Sequence, residues 1–448
     1  MNLVVKGHAS TVSNGVYSIA DYISLPIAML CAAPLLIRHL GMDQYAVWIL
    51  ASAAVSGGML MSSWFGDAAV KHISACRGRE DHAGAERVLR TMLGINLGLG
   101  LTVASLLYAA TPLLVAHLPN VNTVLRANYQ KSLAIGCALL VVKAVESVFI
   151  STQKAFERYG VASQLNILIR ATTIVVAVVV AERSGSVVMI MWATLFVSLL
   201  GLALQGYGVW RDMRPKRLLP QWHHETAHEL FGFGCYSWLQ ALVGMLTQHA
   251  DRLIVGYMLG TQALTYYSIC VQAAQPIHGV VSSGLHTLFP HLGARIHTVR
   301  ATEMRRKIVS ALAVNVALVV TLTAPMMIWS RYLLREWMGA EFSEHASATL
   351  TIIALGFALM GLNVTGYYIL MALGRIRPLV IVNSTGAAAM LILIALLTPK
   401  YGIVGAAIGR LVYGPITWIT YRSIGAAVHS AERPVQEFTI MPEAYENG

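Results

Sequence analysis

The chain has 448 residues, of which 56% are hydrophobic and 12% charged, and its mean hydropathy is +0.62. A soluble domain carries about 25% charge, so the composition excludes an ordinary globular fold, and its apolar content excludes a disordered chain. A total of 32 Lys and Arg against 21 Asp and Glu gives +11. The cations sit mostly in short loops between apolar runs, which points to membrane topology and lipid headgroups as contacts, with no nucleic-acid partner.

A bilayer-spanning helix needs about 20 apolar residues. Apolar windows predict twelve, at approximately 14–37, 45–66, 91–117, 132–153, 161–181, 187–210, 230–257, 264–290, 308–330, 349–373, 379–398 and 403–421. The remainder is enough for short connections and no separate soluble domain. Ile95–Leu118 and Ser184–Trp210 contain no charged residue. The first run is a full span without a small-residue cleavage site, so it is read as a helix and not a signal peptide. The five cysteines (Cys31, Cys76, Cys137, Cys235, Cys270) show no paired spacing and are expected to be inert apolar residues. The expected fold class is an all-α polytopic membrane protein.

Orientation follows from the bias of Lys and Arg between alternate sides. The N-terminus, the even-numbered loops and the C-terminus hold 21, the odd-numbered loops hold seven, and four lie within spans. Both termini are therefore expected in the cytoplasm, with the clusters Arg211, Arg214, Lys216, Arg217 and Arg300, Arg305, Arg306, Lys307. The acidic tail after Arg433 is expected to be a flexible end.

A shift of 219 residues lays the first two spans on the seventh and eighth. Gly15, Tyr17 and Ser18 meet Gly234, Tyr236 and Ser237; Leu40-Gly41 meets Leu259-Gly260; Ser63 meets Ser282. A shift of 217 lays Arg158 and Asn166 on Arg375 and Asn383. Six spans per repeat is an even number, so the expected plan is two parallel six-helix lobes, 1–215 and 216–448, around a central cavity.

Charges within spans cost roughly 2.5–3.5 kcal/mol each at a helix centre and so need a reason. The candidates are Asp21, Lys143, Glu146, Arg170, Asp251, Arg252 and Arg410. Several lie on polar stripes at helical spacing: Asn14, Ser18 and Asp21; Lys143, Ser147 and Ser151; Ser163, Asn166, Arg170 and Thr173; Gln240, Gly244, Thr247 and Asp251; Gln272, Gln275, Gly279 and Ser282. The N-terminal stripes can face one water-filled cavity, cationic at Lys143 and Arg170 and acidic at Asp21 and Glu146. Structural readings stand beside this. Lys143 and Glu146 are three apart and can neutralise each other. Asp251 and Arg252 can sit near the outer interface with Arg252 snorkelling, and Arg410 can close a helix–helix contact. Arg170 has no acid within one turn, and a guanidinium holds phosphate oxygens bidentately.

The stretch Asp251–Gly260 (DRLIVGYMLG), followed by Leu264–Ser268 (LTYYS), resembles the DRxxIGxxLG…LGxYS signature of polysaccharide flippases. Arg38–Trp48 (RHLGMDQYAVW) is similar to that family's LGxxxYGxW turn. Gln153–Gly160 (QKAFERYG) and Tyr401–Leu411 (YGIVGAAIGRL) resemble its post-span-four loop and last span. Ala46 and Thr265 stand where the family commonly has glycine. The resemblance, to Wzx-type O-antigen and exopolysaccharide flippases, covers essentially the whole chain. It implies translocation of an undecaprenyl-diphosphate-linked oligosaccharide across the bacterial inner membrane by alternating access, with H+ or Na+ as coupling ion, no other cofactor, and polysaccharide polymerase or assembly proteins as partners. On that reading Arg170, Lys143, Arg252 and Asn166 bind diphosphate or sugar, and Asp21, Glu146 and Asp251 bind the coupling ion or form ion pairs.

Two other functions compete. A multidrug/toxin-type cation antiporter shares the architecture. His224-Glu225-Thr226-Ala227-His228 matches the HExxH pattern of zinc proteases, but it follows Pro220 in the inter-lobe linker without an evident third ligand, and a polar loop helix is the expected structure. A major-facilitator carrier is disfavoured because the loop after the second span, GDAAVKHISACRGRED, lacks that family's GxxxDRxGRR-like pattern.

Overall fold

The computed structural model describes residues 28–56, 66–116, 122–156, 158–215, 218–224, 226, 243–244, 246–285, 301–372 and 376–422. Among them every regular element is helical. The first, α1 (28–56), contains Gly41 at φ +76°. A left-handed residue cannot continue an α-helix, so α1 is a hairpin of two arms. Met29 and Ser56 accordingly line the same cavity, although a straight helix would separate them by about 40 Å.

The chain continues through α2 (Gly66–Gly78), α3 (His82–Ala116), α4 (Thr123–Ala155), α5 (Tyr159–Ser184) and α6 (Val187–Met213). Local chemistry sets several ends. Asn122 Oδ1 accepts from Leu125 N at 2.8 Å and starts α4, and Gly185 at φ +57° terminates α5. The third and fourth helices begin about nine residues before their predicted spans, because the charged flanks 82–90 and 123–131 continue the helix beyond the apolar stretch.

After a π-helical turn, Leu246–Ala250, come α7 (Asp251–Leu259), α8 (Thr261–Leu285), α9 (Ala301–Ile328), α10 (Ser330–Met338), α11 (Ala340–Leu362), α12 (Val364–Ala372), α13 (Ile376–Arg410) and α14 (Tyr413–Thr417). The predicted tenth span, 349–373, is interrupted at Asn363, and α13 is two arms joined at Gly402, φ +59°.

Left-handed glycines carry the repeat into the backbone. Gly41 (φ +76°) and Gly260 (φ +87°) are 219 residues apart, and Gly185 (φ +57°) and Gly402 (φ +59°) are 217 apart. Both offsets equal those found in the sequence. Each of these glycines closes a tight turn between consecutive spans on the side opposite the basic loops.

Helices α3 to α6 pack chiefly on one another, as do α7 to α11 with α13. The first hairpin bridges the two groups. Tyr45, buried completely, shares a hydrogen bond with Gln272 of α8; Thr261 Oγ1 donates to Asp43 Oδ1 at 2.6 Å; Thr265 Oγ1 donates to the Met42 carbonyl; Trp337 Nε1 donates to the Leu30 carbonyl. The outer surface is apolar: Trp192, Phe196, Leu200, Leu204 and Tyr207 recur every three or four residues along α6, each at least half exposed. A continuous stripe of this kind is untenable in water and suits a lipid-facing surface. Seven of the described helical segments are long and apolar enough to cross a membrane. The fold is that of an all-α polytopic membrane protein.

Candidate functional site: two cavities flanking the first hairpin

Two cavities share Met29, Trp48, Ser52 and Ser56 as a common wall. The larger encloses about 400 Å³ between α1, α4, α5 and α6. Helix α4 contributes Lys143, Glu146, Ser147 and Ile150, and α5 contributes Asn166, Arg170, Thr173 and Ala177. These spacings of three and four put each set on one helical face. Met191, Thr194 and Ser198 of α6 complete the lining.

Lys143 Nζ lies 2.6 Å from Glu146 Oε2, with side chains 20% and 2% exposed. A carboxylate this buried requires a partner, and Lys143 is that partner. Glu146 Oε1 has no hydrogen-bond partner among the described residues and lies against Gly201, where a Cβ would stand only 3.2 Å away. Over the described lining the ionisable groups are Lys143, Glu146 and Arg170, two cations against one carboxylate.

The second cavity, about 260 Å³, is lined from the other half by Gln248, His249, Arg252, Gln272 and Gln275. No carboxylate lines it among the described residues. Arg252 Nε is buried without a hydrogen-bond partner among them. Glutamine amides and a guanidinium present donors, so this cavity too is suited to anions and to hydroxyl-rich ligands.

Asp251 does not line either cavity. Its carboxylate accepts from Arg410 Nη1, from Tyr267 Oη at 2.8 Å and from the Arg252 backbone N–H at 2.8 Å, and its side chain is fully buried. The guanidinium of Arg410 also lies 4.5 Å over the Phe357 ring. The expectation of an interfacial Asp251 and a snorkelling Arg252 is thereby corrected. Asp251 stands nine residues before Gly260, about 13 Å along the helix from that turn, and Arg252 faces an internal cavity.

The polar stripe expected on the seventh span is likewise re-registered. Thr247 is buried and bonds the Val243 and Gly244 carbonyls, while Gln248, His249 and Arg252 face the cavity. The π-helical turn, with its extra residue per turn, rotates the face that follows it. Ser52 and His249 were not singled out in the sequence, and Trp48 entered only as the last residue of the Arg38–Trp48 motif. Ser52 and Ser56, one turn apart on the α1 arm after the Arg38–Trp48 motif, were the available signal. Asp21 lies outside the described residues, as do Glu225 and His228 of the HExxH match.

The comparisons with known proteins accord with this architecture. The family model described as polysaccharide biosynthesis protein matches residues 80–347. A Shigella flexneri protein that bears the name "Putative O-antigen transporter" is 19% identical over 403 residues, covering 89% of this chain and 94% of that protein. Among solved structures, a lipid II flippase MurJ in an inward closed conformation superposes with a TM-score of 0.73 at 14% identity, covering 92% of this chain and 87% of that one. An inward-facing multidrug-resistance MATE family transporter of the MOP superfamily gives 0.71 at 13% identity, covering 92% and 99%. The likeness to the two solved structures is one of fold.

Proposed function

We infer the function from one premise: the chain belongs to the polysaccharide biosynthesis protein family. It is a multi-pass protein of the bacterial inner membrane, and its part in polysaccharide biosynthesis is that of an O-antigen or polysaccharide transporter. The finer reading is that it flips an undecaprenyl-diphosphate-linked oligosaccharide from the cytoplasmic to the outer leaflet by alternating access of lobes 1–215 and 216–448.

The observation that carries this reading is the pair of cavities on either side of the first hairpin. Among the described residues, Lys143, Arg170 and Arg252 face them, against one carboxylate that already has a partner. A diphosphate moved through a low-dielectric region requires cations near its oxygens. Asn166 and the glutamines suit sugar hydroxyls. Over the described residues this charge balance favours an anionic substrate above an organic cation, whose site needs an available carboxylate. Positive-inside bias assigns the glycine-turn end to the outer face. The contacts of Met42, Asp43 and Tyr45 with the second half then close the pathway outward, a state from which a substrate is taken up inside.

Glu146, whose Oε1 has no hydrogen-bond partner among the described residues, is the coupling-ion candidate this arrangement favours; Asp21, which lies outside those residues, is the second candidate from the sequence. Asp251 is assigned to the ion pair. H+ or Na+ is the proposed coupling ion, and polysaccharide polymerase or other assembly proteins are the proposed partners.

Proteoliposomes loaded with a fluorescent undecaprenyl-diphosphate oligosaccharide test the function. Protein-dependent movement between leaflets that falls in Arg170→Ala is the expected result. Folded protein that moves no such lipid under any ion gradient, yet accumulates cationic dyes, would establish the antiporter instead.

A further inference from the structure

A third cavity, about 540 Å³, lies away from the hairpin at the basic end of the molecule. It is lined by His82, Glu86, Arg87 and Arg90 from the first turns of α3, by Arg214 just past α6, and by His223 of the following segment. Three guanidiniums and two imidazoles thus face one carboxylate. Among the described residues, neither Arg87 nor Arg214 makes an ion pair or a side-chain hydrogen bond, and the nearby Asp212 is taken by Arg158 at 3.0 Å and Arg211 at 3.4 Å. Arg214 adopts φ +45°, a left-handed conformation unusual for a side chain of its size.

The third wall is the connection between the halves. Segment 218–223 is strapped along α3 by Gln221 N donating to the Arg90 carbonyl at 3.1 Å and by Arg90 Nε donating to the Leu219 carbonyl at 3.0 Å. It can lie this close because Gly94 has no side chain; a Cβ there would stand 3.0 Å from the Gln221 carbonyl oxygen. The strap turns Leu219 and Trp222 outward, 66% and 58% exposed. An apolar residue and a tryptophan beside a cationic cavity, at the end of two membrane helices, match the depth of lipid headgroups, where indole rings anchor and phosphates carry negative charge.

We propose that this cavity binds the phosphate of an anionic phospholipid of the adjoining leaflet, held by Arg87 and Arg214 while Trp222 and Leu219 lie against its glycerol and upper acyl region. The bound lipid joins the start of α3, the end of α6 and the inter-lobe strap. The site is separate from the two central cavities and does not depend on what they carry.

Native mass spectrometry of the purified full chain, titrated with phosphatidylglycerol, phosphatidylcholine or inorganic pyrophosphate, tests this. Phosphatidylglycerol should bind in preference to phosphatidylcholine, and R87Q/R214Q should weaken it about tenfold. R183Q, an exposed arginine at the other end of the molecule, should leave it unchanged. Arg87 and Arg214 are both exposed, so these variants should fold; R214Q alone, with a loss of about threefold, carries the test if the double variant does not purify. Equal binding by wild type and R87Q/R214Q, or an equal loss in R183Q, would overturn the proposal. Displacement of the lipid by equimolar pyrophosphate would overturn it in favour of a free-phosphate site.

Discussion

Asp251 and Arg410 are 159 positions apart and form a buried ion pair, with the carboxylate of one α7 residue accepting from the guanidinium that ends α13. Each is set by a glycine turn: Asp251 is nine residues before Gly260 and Arg410 eight after Gly402, so both reach nearly the same depth. Removing one partner leaves the other charged and buried, which typically costs about 3–5 kcal/mol, whereas replacing both by apolar residues of similar size is close to neutral. Asp251→Asn and Arg410→Met should each lower the thermal unfolding midpoint in detergent strongly. The double variant Asp251→Leu/Arg410→Met should recover most of the loss. If the effects of the two single changes simply add, the pair is not the coupled unit its geometry describes.

Lys143 and Arg170 share a cavity but differ in what their removal exposes. Lys143→Ala strands Glu146, which is 2% exposed, and should destabilise by about 3 kcal/mol or more. Lys143→Met/Glu146→Leu removes both charges and should restore stability while transport stays low. Arg170→Ala should lower transport, and Arg170→Lys should recover only part of it, since an ammonium cannot hold a diphosphate bidentately. Unfolding midpoints and leaflet-translocation rates measured on the same preparations separate the two effects. Normal translocation in both Arg170→Ala and the Lys143/Glu146 double variant would remove the cationic cavity from the pathway.

Arg252 should show stability and transport moving in opposite directions. Its Nε is buried and unbonded among the described residues, and an unsatisfied buried polar group costs about 1–3 kcal/mol. Arg252→Met should therefore unfold at the same temperature as wild type or a higher one, while translocating less. A variant that is both less stable and fully active would assign Arg252 a packing role only.

The face of α4 bearing Lys143 and Glu146, and that of α5 bearing Asn166 and Arg170, were legible because helical spacing alone decides which side chains share a side. The repeat was legible for a related reason: Gly41 and Gly260 occupy one register in two copies. The Asp251–Arg410 pair was not, because it joins two helices whose packing no local pattern states, although two opposite charges at matched distances from glycine turns were a usable signal. Gln272, Gln275 and Arg252 of the second cavity were legible too, but the seventh-span stripe was placed one position early, because the π-helical turn Leu246–Ala250 changes the helical period between Thr247 and Arg252.

Asp43 and Thr261 test the alternation itself. Thr261 Oγ1 donates to Asp43 Oδ1 at 2.6 Å, joining the turn of α1 to the turn between α7 and α8. The contact holds the first hairpin against the second half at the glycine-turn end, where Thr265 also donates to the Met42 carbonyl. Opening of the cavities toward that end must break it. In a background with the five native cysteines replaced, Asp43→Cys/Thr261→Cys should form a disulfide on mild oxidation, shown by altered mobility after proteolysis between the two sites. Oxidised protein should bind substrate lipid from the basic side and stop translocating, and reductant should restore the rate. Full translocation by completely oxidised protein would mean that this end never separates, and alternating access about the first hairpin would have to be abandoned.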